Sequence, residues 1–395
     1  MALSIKQVEL YQFRNYRSFT LKDIGSVTVF VGENAVGKTN LLEALHLLTA
    51  CQSFRHATTE QLLMEDVAVE QARAAAVLAD ETRNITVEMV IDGGKRRWKM
   101  NGKVKPSGEL RGLAPSVVFT PDDLTLIKGS HSAKRLALDA LGEQLKPNYQ
   151  QVRLNYEDIL RQKNKLLKEG YSADFLAGIN DVMVVCGAQL TLYRSSLFDK
   201  LAPKIIARYA ELSGGREQLS CTYVPSWILH GQLGDAVYGL EDAEDGEEAA
   251  TSLPASFSYF PVALTREKAR AAMQQALDNR SADECIRQRS IIGPHMDKIF
   301  FTLDGKDAGD YASQGQQRSI VLAWKLAEVD LIRELLGVSP ILLLDDVMSE
   351  LDANRRGALE ACIMKGSQAF ITTTNLGYFT DDALAGATVV HLPFS

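Results

Sequence analysis

Eight consecutive residues, Gly32-Glu33-Asn34-Ala35-Val36-Gly37-Lys38-Thr39, constrain this chain more than any other feature. They fit G-x-x-x-x-G-K-[ST] at every required position. An apolar, β-branched run precedes them at 26–31. After them, Leu41, Leu45 and Leu48 fall with Leu42 on one helical stripe. A strand entering such a loop and a helix leaving it make a phosphate cradle. The glycines let successive backbone N–H groups turn inward, and the helix N-terminus adds the positive end of its dipole. Lys38 is placed to reach β- and γ-phosphates, and the Thr39 hydroxyl to ligate Mg²⁺. The expected fold is α/β, and the expected cofactors are ATP and Mg²⁺.

Such a loop needs an acidic second arm. Ile341-Leu342-Leu343-Leu344 is a buried-strand pattern that ends in Asp345 and Asp346. Adjacent carboxylates there are costly unless they serve a cation or orient water. Asp345 is the expected Mg²⁺ arm beside Thr39, and Asp346 the candidate to polarise an attacking water. The other reading is an acidic pair opening a solvated turn. Lys38 and Asp345 stand 307 positions apart, so a large insertion must separate the two arms.

The rest of the chain has room for it, since 395 residues suffice for two or three domains. Strand signals fill the first 120 residues, including a hairpin pattern around Asp92-Gly93-Gly94. Helical periodicity dominates 121–290, and strands return from Lys298 onward. Hydrophobic residues at 46% and charged residues at 24% exclude a disordered chain. No apolar run approaches the roughly 18 residues of a membrane span. The N-terminus lacks a signal-peptide pattern and reads as the start of the fold. Five scattered cysteines without a C-x-x-C pair point to reduced thiols and no zinc. Six of the seven excess negative charges lie in one segment, 241–248, which reads as a solvated loop. The remainder is nearly neutral, so basic patches can still meet phosphate. Lys95-Arg96-Arg97-Trp98-Lys99-Met100-Asn101-Gly102-Lys103-Val104-Lys105 holds six bases and no acid. It reads either as a DNA-tracking hairpin or as an edge guarded by charge. Arg161, Lys165 and Lys168, with Lys163 nearby, form a second stripe that reads as a solvated helix face.

Tyr311-Ala312-Ser313-Gln314-Gly315-Gln316 resembles the signature motif of ABC-type ATPases, 32 residues before Asp345. Ser349-Glu350-Leu351-Asp352 is similar to their D-loop. Phe13-Arg14-Asn15-Tyr16, Glu33-Asn34, Ser53-Phe54-Arg55, Phe119-Thr120-Pro121, Gln162-Lys163-Asn164-Lys165 and Gly293-Pro294-His295 narrow the resemblance. They point to the SMC-like branch and, within it, to the RecF family. Departures from that family's pattern are Met296, Asp297 and Lys298 after the Gly-Pro-His, and a thinner basic run at Lys134 and Arg135.

The resemblance implies an ABC-type ATPase head, P-loop and mixed sheet, with an inserted, mostly helical second lobe. The expected boundaries are 1–120, 121–290 and 291–395. It adds Arg14 and Asn15 to the nucleotide-binding residues Gly32 to Thr39. It assigns Ser313, Gly315 and Gln316 to the γ-phosphate bound by a partner subunit, giving an ATP-dependent homodimer. Ser313 joins Lys38, Asp345 and Asp346 as catalytic residues, with slow hydrolysis because Asp346 replaces a longer Glu. Thr374 or Asn375 stands where the family places a phosphate-sensing His. The implied function is binding of single-stranded, gapped and duplex DNA in recombinational repair and replication restart. It includes recombinase loading and the SOS response, with RecR and RecO as partners, in the cytoplasm and away from membranes. Alternatives are another SMC-like chromosome ATPase, a transporter's ATPase subunit, or a small-molecule kinase.

Overall fold

The structure, a computed structural model, describes residues 3–64, 71–170, 172–228, 264–380 and 386–392. The acidic segment 241–248 lies outside them. By contacts the chain divides into two units, 1–123 with 325–395, and 124–324.

Strands are numbered β1 to β14 in chain order. In the first unit, β3 (Val27–Val31), β8 (Ser116–Phe119), β12 (Ile341–Asp345), β13 (Ala369–Thr373) and β14 (Thr388–His391) form a parallel sheet in the order β14-β3-β13-β12-β8. Every residue of β8, β12 and β13 is buried. Their unbroken apolar runs reflect a sheet covered on both faces. Register fixes the site: Asp345 pairs with Thr372, and Thr373 with Val31. The C-terminal ends of β3, β13 and β12 are therefore nearly level, and Gly32 leaves the sheet with β13 between it and Asp345.

A six-stranded antiparallel sheet runs β2-β1-β4-β5-β6-β7. Its strands are β1 (Ser4–Phe13), β2 (Tyr16–Lys22), β4 (Gln71–Ala79), β5 (Asn84–Asp92), β6 (Lys95–Met100) and β7 (Lys103–Lys105). The P-loop helix, Lys38–Ala50, shares one core with both sheets: Leu41, Leu45 and Leu48 cluster with Val8, Leu10, Met89, Leu343 and Phe370. It is buried on nearly all sides, so it lacks a polar face. The expected turn is present, with Gly93 and Gly94 both at positive φ (55° and 73°), the mirror-image geometry that matches strand twist. Trp98 and Met100 pack against the core. Lys95, Arg97 and Lys99 therefore take the opposite face. Arg96 does not join them: it donates to the Thr59 hydroxyl at 3.0 Å and to Ala57 O at 2.5 Å.

In the second unit, long helices (His131–Leu145, Tyr149–Glu169, Ala173–Ser213, Arg266–Asn279) accompany a small antiparallel sheet, β11-β10-β9. The strands are β9 (Leu219–Val224), β10 (Lys298–Leu303) and β11 (Lys306–Asp307). β9 lies inside the insertion and β10 pairs with it residue by residue. That pairing groups 291–324 with the insertion, so the contact boundary falls at 325 where the sequence suggested 291. The helix Gln314–Leu336 spans that boundary.

The Gly-Pro-His segment is a buried polar knot. Gly293 sits at φ 138°, and a Cβ there would lie 2.3 Å from the Tyr156 hydroxyl oxygen. Tyr156 and His295 Nδ1 are hydrogen-bonded at 2.6 Å. The departing Asp297 is fully buried, and accepts from the Thr191 and Tyr223 hydroxyls and from Ser226 N. Beside it, Arg194 forks onto Asp139 at 2.8 and 2.7 Å. Lys163 leaves the predicted basic stripe altogether: it is fully buried, 2.6 Å from Glu284. Arg161 and Lys165 are exposed and face Asp158 and Glu169 on their own helix.

One expectation about membranes is corrected. The helix Ala173–Ser213 contains a stretch long and apolar enough to span a bilayer by length and composition; interspersed polar residues such as Asn180, Gln189 and Thr191 hide it from a count of unbroken apolar runs. Met183, Ala188, Leu190, Phe198, Leu201 and Ile205 on it are buried within the protein, whereas Phe175, Val182, Val185 and Ile206 are exposed.

Three of the six histidines are held neutral, chiefly by burial: His46 is pulled down to about 3, His295 to about 3 and His131 to about 2. An unfolded histidine takes its proton near pH 6.5. Below that pH the unfolded chain binds more protons than the folded one, so stability falls as pH falls, by about 1.4 kcal/mol per histidine per pH unit. Burial raises Asp297, Asp345 and Asp346, which act in the opposite sense nearer the carboxylate range. Urea unfolding at pH 7.5, 6.5 and 5.5 is expected to show little change above 6.5 and a steep loss below it. A flat profile down to pH 5.5 contradicts neutral burial of these rings.

Candidate nucleotide site

The P-loop runs from Gly32 at the end of β3 to Gly37, which precedes the helix at φ 106°. Its tight packing explains both glycines. A Cβ on Gly32 would lie 2.7 Å from Leu392 O, and one on Gly37 2.3 Å from Asn15 Nδ2. Ala35 also takes positive φ, at 65°. The Lys38 side chain curls under the loop, and its Nζ donates to Gly32 O at 2.7 Å and Glu33 O at 2.8 Å. Lys38 is 7% exposed, so its charge is concentrated on the loop's inner side.

Asp345 arrives from 306 residues away to meet Thr39, whose hydroxyl donates to Asp345 Oδ1 at 3.0 Å. The Thr372 hydroxyl donates to the same oxygen at 2.8 Å. Burial raises the Asp345 pKa against these two hydrogen bonds. Asp346 turns out of the strand with a left-handed backbone, φ 51°. Its N–H is held by Thr372, at 3.2 Å from the carbonyl and 2.9 Å from the hydroxyl. Burial raises its pKa, Lys38 lowers it, and Asp345 and Glu350 add to the rise. Asp346 Oδ1 is buried without a hydrogen-bond partner. Such an acceptor is costly to leave unmet, and marks a place where a water or ligand donor belongs.

These groups line a cleft of about 460 Å³ at the C-terminal edge of the parallel sheet. Asn34, Ala35, Gly37, Lys38 and Thr39 form one side, and Asp345 and Asp346 another. Sequence reasoning left three contributors unassigned: Asn40, the Phe54-Arg55 pair, and the Thr120-Pro121-Asp122 turn. The last was readable in principle. It follows β8, the neighbour of β12, so its strand end is level with Asp345.

Arg14 and Asn15, which the resemblance assigns to nucleotide, brace the P-loop and its helix in this structure. Asn15 Nδ2 donates to Val36 O at 3.1 Å, and its Oδ1 accepts from Asn40 at 2.8 Å. The Tyr16 hydroxyl donates to Gly37 O at 3.0 Å. Arg14 is bound to Glu43. Its polar atoms are thus committed to protein, because the turn between β1 and β2 is packed on the P-loop helix. Ser313, Gly315 and Gln316 belong to the second unit. Ser313 Oγ accepts from Gln316 N at 3.3 Å, while Gln316 Oε1 accepts from Ser313 N at 2.6 Å, a reciprocal cap that starts the helix Gln314–Leu336. Ser313 and Gln314 are exposed. Thr374 and Asn375 are exposed beyond β13, with Asn375 Oδ1 accepting from Gly377 N at 2.8 Å.

The residues fit a nucleoside triphosphate with Mg²⁺. The loop offers inward amides and a buried lysine. The Thr39 hydroxyl and Asp345 carboxylate are adjoining hard oxygen donors of the kind Mg²⁺ takes.

Comparison with known proteins agrees. The family described as RecF/RecN/SMC N terminal domain matches residues 4–391. Curated relatives include the DNA replication and repair protein RecF of Synechococcus sp. (strain JA-3-3Ab), 34% identical over 98% of this chain and 96% of the relative. RecF of Symbiobacterium thermophilum is 35% identical over 94% and 92%. Among solved structures, the recombination mediator RecF-ATPrS of the RecFOR pathway aligns with a TM-score of 0.81 at 28% identity, covering 96% of this chain and 94% of that one. The Smc head bound to the C-winged helix domain of ScpA aligns at 0.51 and 15% identity over 99% and 94%, a likeness of fold alone. With a P-loop completed by a carboxylate from beyond a long insertion, and this match along nearly its whole length, the chain belongs to the RecF family of DNA replication and repair proteins.

Proposed function

We propose that this chain is an ATP-dependent DNA-binding protein of recombinational repair and replication restart. ATP joins two copies, and slow hydrolysis releases them. The observation that carries the proposal is the meeting of Thr39 and Asp345, which completes a triphosphate site. Lys38 would hold the β- and γ-phosphates, and Thr39 and Asp345 the metal. Bound Mg²⁺ neutralises phosphate charge during hydrolysis. Asp346 would orient a water through its unmet, buried Oδ1, consistent with a half-buried carboxyl whose pKa burial raises. Ser313, Gly315 and Gln316 open a 23-residue helix whose dipole would face the γ-phosphate held by a partner subunit.

Loading of recombinase, the SOS response, and RecR and RecO as partners are the roles the family resemblance implies; the RecFOR pathway named for a structural relative supports a recombination role. The cytoplasm is the compartment such a role requires. Lys95, Arg97 and Lys99 on one face of β6 are the candidate phosphate contacts.

Electrophoretic shift of gapped, single-stranded and duplex DNA, with and without ATP and Mg²⁺, tests the proposal. Retardation is expected to need both. Binding indifferent to nucleotide would count against an ATP-gated clamp. Neutralising Lys95, Arg97 and Lys99 together is expected to weaken binding and to flatten the logarithmic salt dependence by about 2 to 3. ATP affinity should be unaltered. An unchanged salt slope returns this edge to a charged guard against strand pairing.

Asp346→Asn keeps the shape and removes the proton acceptor. ATP binding is expected to persist while turnover drops by about a hundredfold or more, leaving ATP-bound dimer to accumulate. Turnover at the parent rate would take the water from Asp346.

A further inference from the structure

Two motifs flanking the P-loop helix, Phe13-Arg14-Asn15-Tyr16 and Ser53-Phe54-Arg55, converge on one carboxylate that no part of the proposed chemistry uses. Glu43 sits on the P-loop helix and is fully buried. Arg14 forks onto it, Nε to Oε2 at 2.9 Å and Nη2 to Oε1 at 3.0 Å. The Ser53 hydroxyl donates to Oε1 at 2.5 Å. Arg55 is a second claimant. Its Nη1 stands 4.0 Å from Oε2 and donates to Asn40 Oδ1 at 3.0 Å.

The two guanidiniums are held unequally. Arg14, 14% exposed, takes the carboxylate in bidentate geometry, and one charge satisfies the other. Arg55, 44% exposed, is left with a longer, solvent-screened attraction and one neutral acceptor. It lines the cleft with Lys38 and both acids, and its field lowers the Asp345 pKa. Arg55 is therefore the loosely tied cation of the site, and what loosens it is Arg14's prior claim on Glu43.

We propose that Glu43 is a positioning residue: it holds Arg55 at the cleft rim by a tie that Arg14 keeps weak, so that a bound polyphosphate takes the guanidinium over. The inference rests on the nucleotide reading of the cleft. Its distinguishing consequence is one of sign. Arg14→Met and Glu43→Gln break the same buried ion pair, but they move Arg55 in opposite directions. With Arg14 gone, Ser53 still holds Oε1, but Oε2, the oxygen that faces Arg55, is free to draw it away from the cleft. With Glu43 neutral, Arg55 is released toward it.

Calorimetric binding of MgATP and MgADP to the full chain reads this directly. Arg14→Met is expected to lower MgATP affinity about tenfold, the worth of a charge-assisted contact. MgADP, with fewer phosphate charges, should change less. Glu43→Gln is expected to keep MgATP affinity at or a few-fold above the parent's. Adding Arg55→Met to either variant should erase the difference between them. Equal losses in Arg14→Met and Glu43→Gln, or effects that persist without Arg55, overturn the proposal and leave Glu43 a structural brace. Should Glu43→Gln fail to fold, Arg14→Lys serves. Its point charge claims only part of the fork, so its affinity should fall between parent and Arg14→Met and lose its effect in the Arg55→Met background. Lys38→Ala separates the two levels of inference. If it leaves MgATP affinity intact, the nucleotide site itself is wrong. If it abolishes affinity while the sign test fails, only Glu43's role falls.

Discussion

Lys38→Ala is expected to cost at least about a hundredfold in MgATP affinity. Lys38 is almost fully buried, so its charge is poorly screened, and Nζ already has the reach to make two contacts of 2.7 and 2.8 Å on the loop. A phosphate entering the cradle would replace those neutral carbonyls with charged oxygens, and each charge-assisted bond is worth about 1.5–3 kcal/mol. Alanine removes both. The fold should survive, because the loop is also braced by Asn15 on Val36 O and Tyr16 on Gly37 O. Hydrolysis and ATP-dependent association should disappear with binding. Circular dichroism establishes folding and calorimetry reads affinity. A folded variant with parent affinity means the phosphates do not lie at this loop.

That prediction was legible in the residues, and so was much of its setting. The P-loop is local: glycines, lysine and threonine must be contiguous to do their work, so a pattern of eight letters carries the geometry. Asp345 was legible for another reason. Ending a strand buried on both faces in two carboxylates is costly, and the structure brings the first of them to the Thr39 and Thr372 hydroxyls. What escaped was whatever depends on side chains choosing among partners. The protein partners of Arg14 and Asn15 are such a case: they meet Glu43, Val36 and Asn40, and only packing of the β1–β2 turn decides that. Lys163 sat in a basic stretch by sequence, but Glu284, 121 positions away, draws it into the interior. Arg96 is contiguous with exposed bases, but strand alternation turns it inward to Ala57 and Thr59. The unit boundary moved from 291 to 325 because β10 pairs with β9, and a long-range antiparallel partner leaves no mark on local composition.

Ser313→Arg should have the largest effect on assembly while leaving the P-loop untouched. Ser313 and Gly315 lie in the second unit, and Lys38, Thr39 and Asp345 in the first. Ser313 is exposed, and its hydroxyl is engaged only in starting the helix through Gln316. Its use would come when Ser313 of the partner subunit closes over the γ-phosphate, where the dipole of the 23-residue helix favours anionic charge. A long cationic side chain at that position holds the two surfaces apart. It also forfeits the hydroxyl side of the cap, a loss of about 1 kcal/mol that the buried length of the helix should absorb. Monomeric ATP binding is expected to stay near parent, while ATP-dependent dimerisation and hydrolysis are lost. Mixing Ser313→Arg with Lys38→Ala should restore one of the two composite sites. The first protein keeps an intact P-loop and the second an intact signature, so one pairing brings both to the same nucleotide. Sedimentation with a non-hydrolysable ATP analogue measures the first effect, and turnover of the mixture against each protein alone measures the second. If Ser313→Arg dimerises as the parent does, the signature does not act across a subunit boundary, and the ATP-gated clamp fails with it.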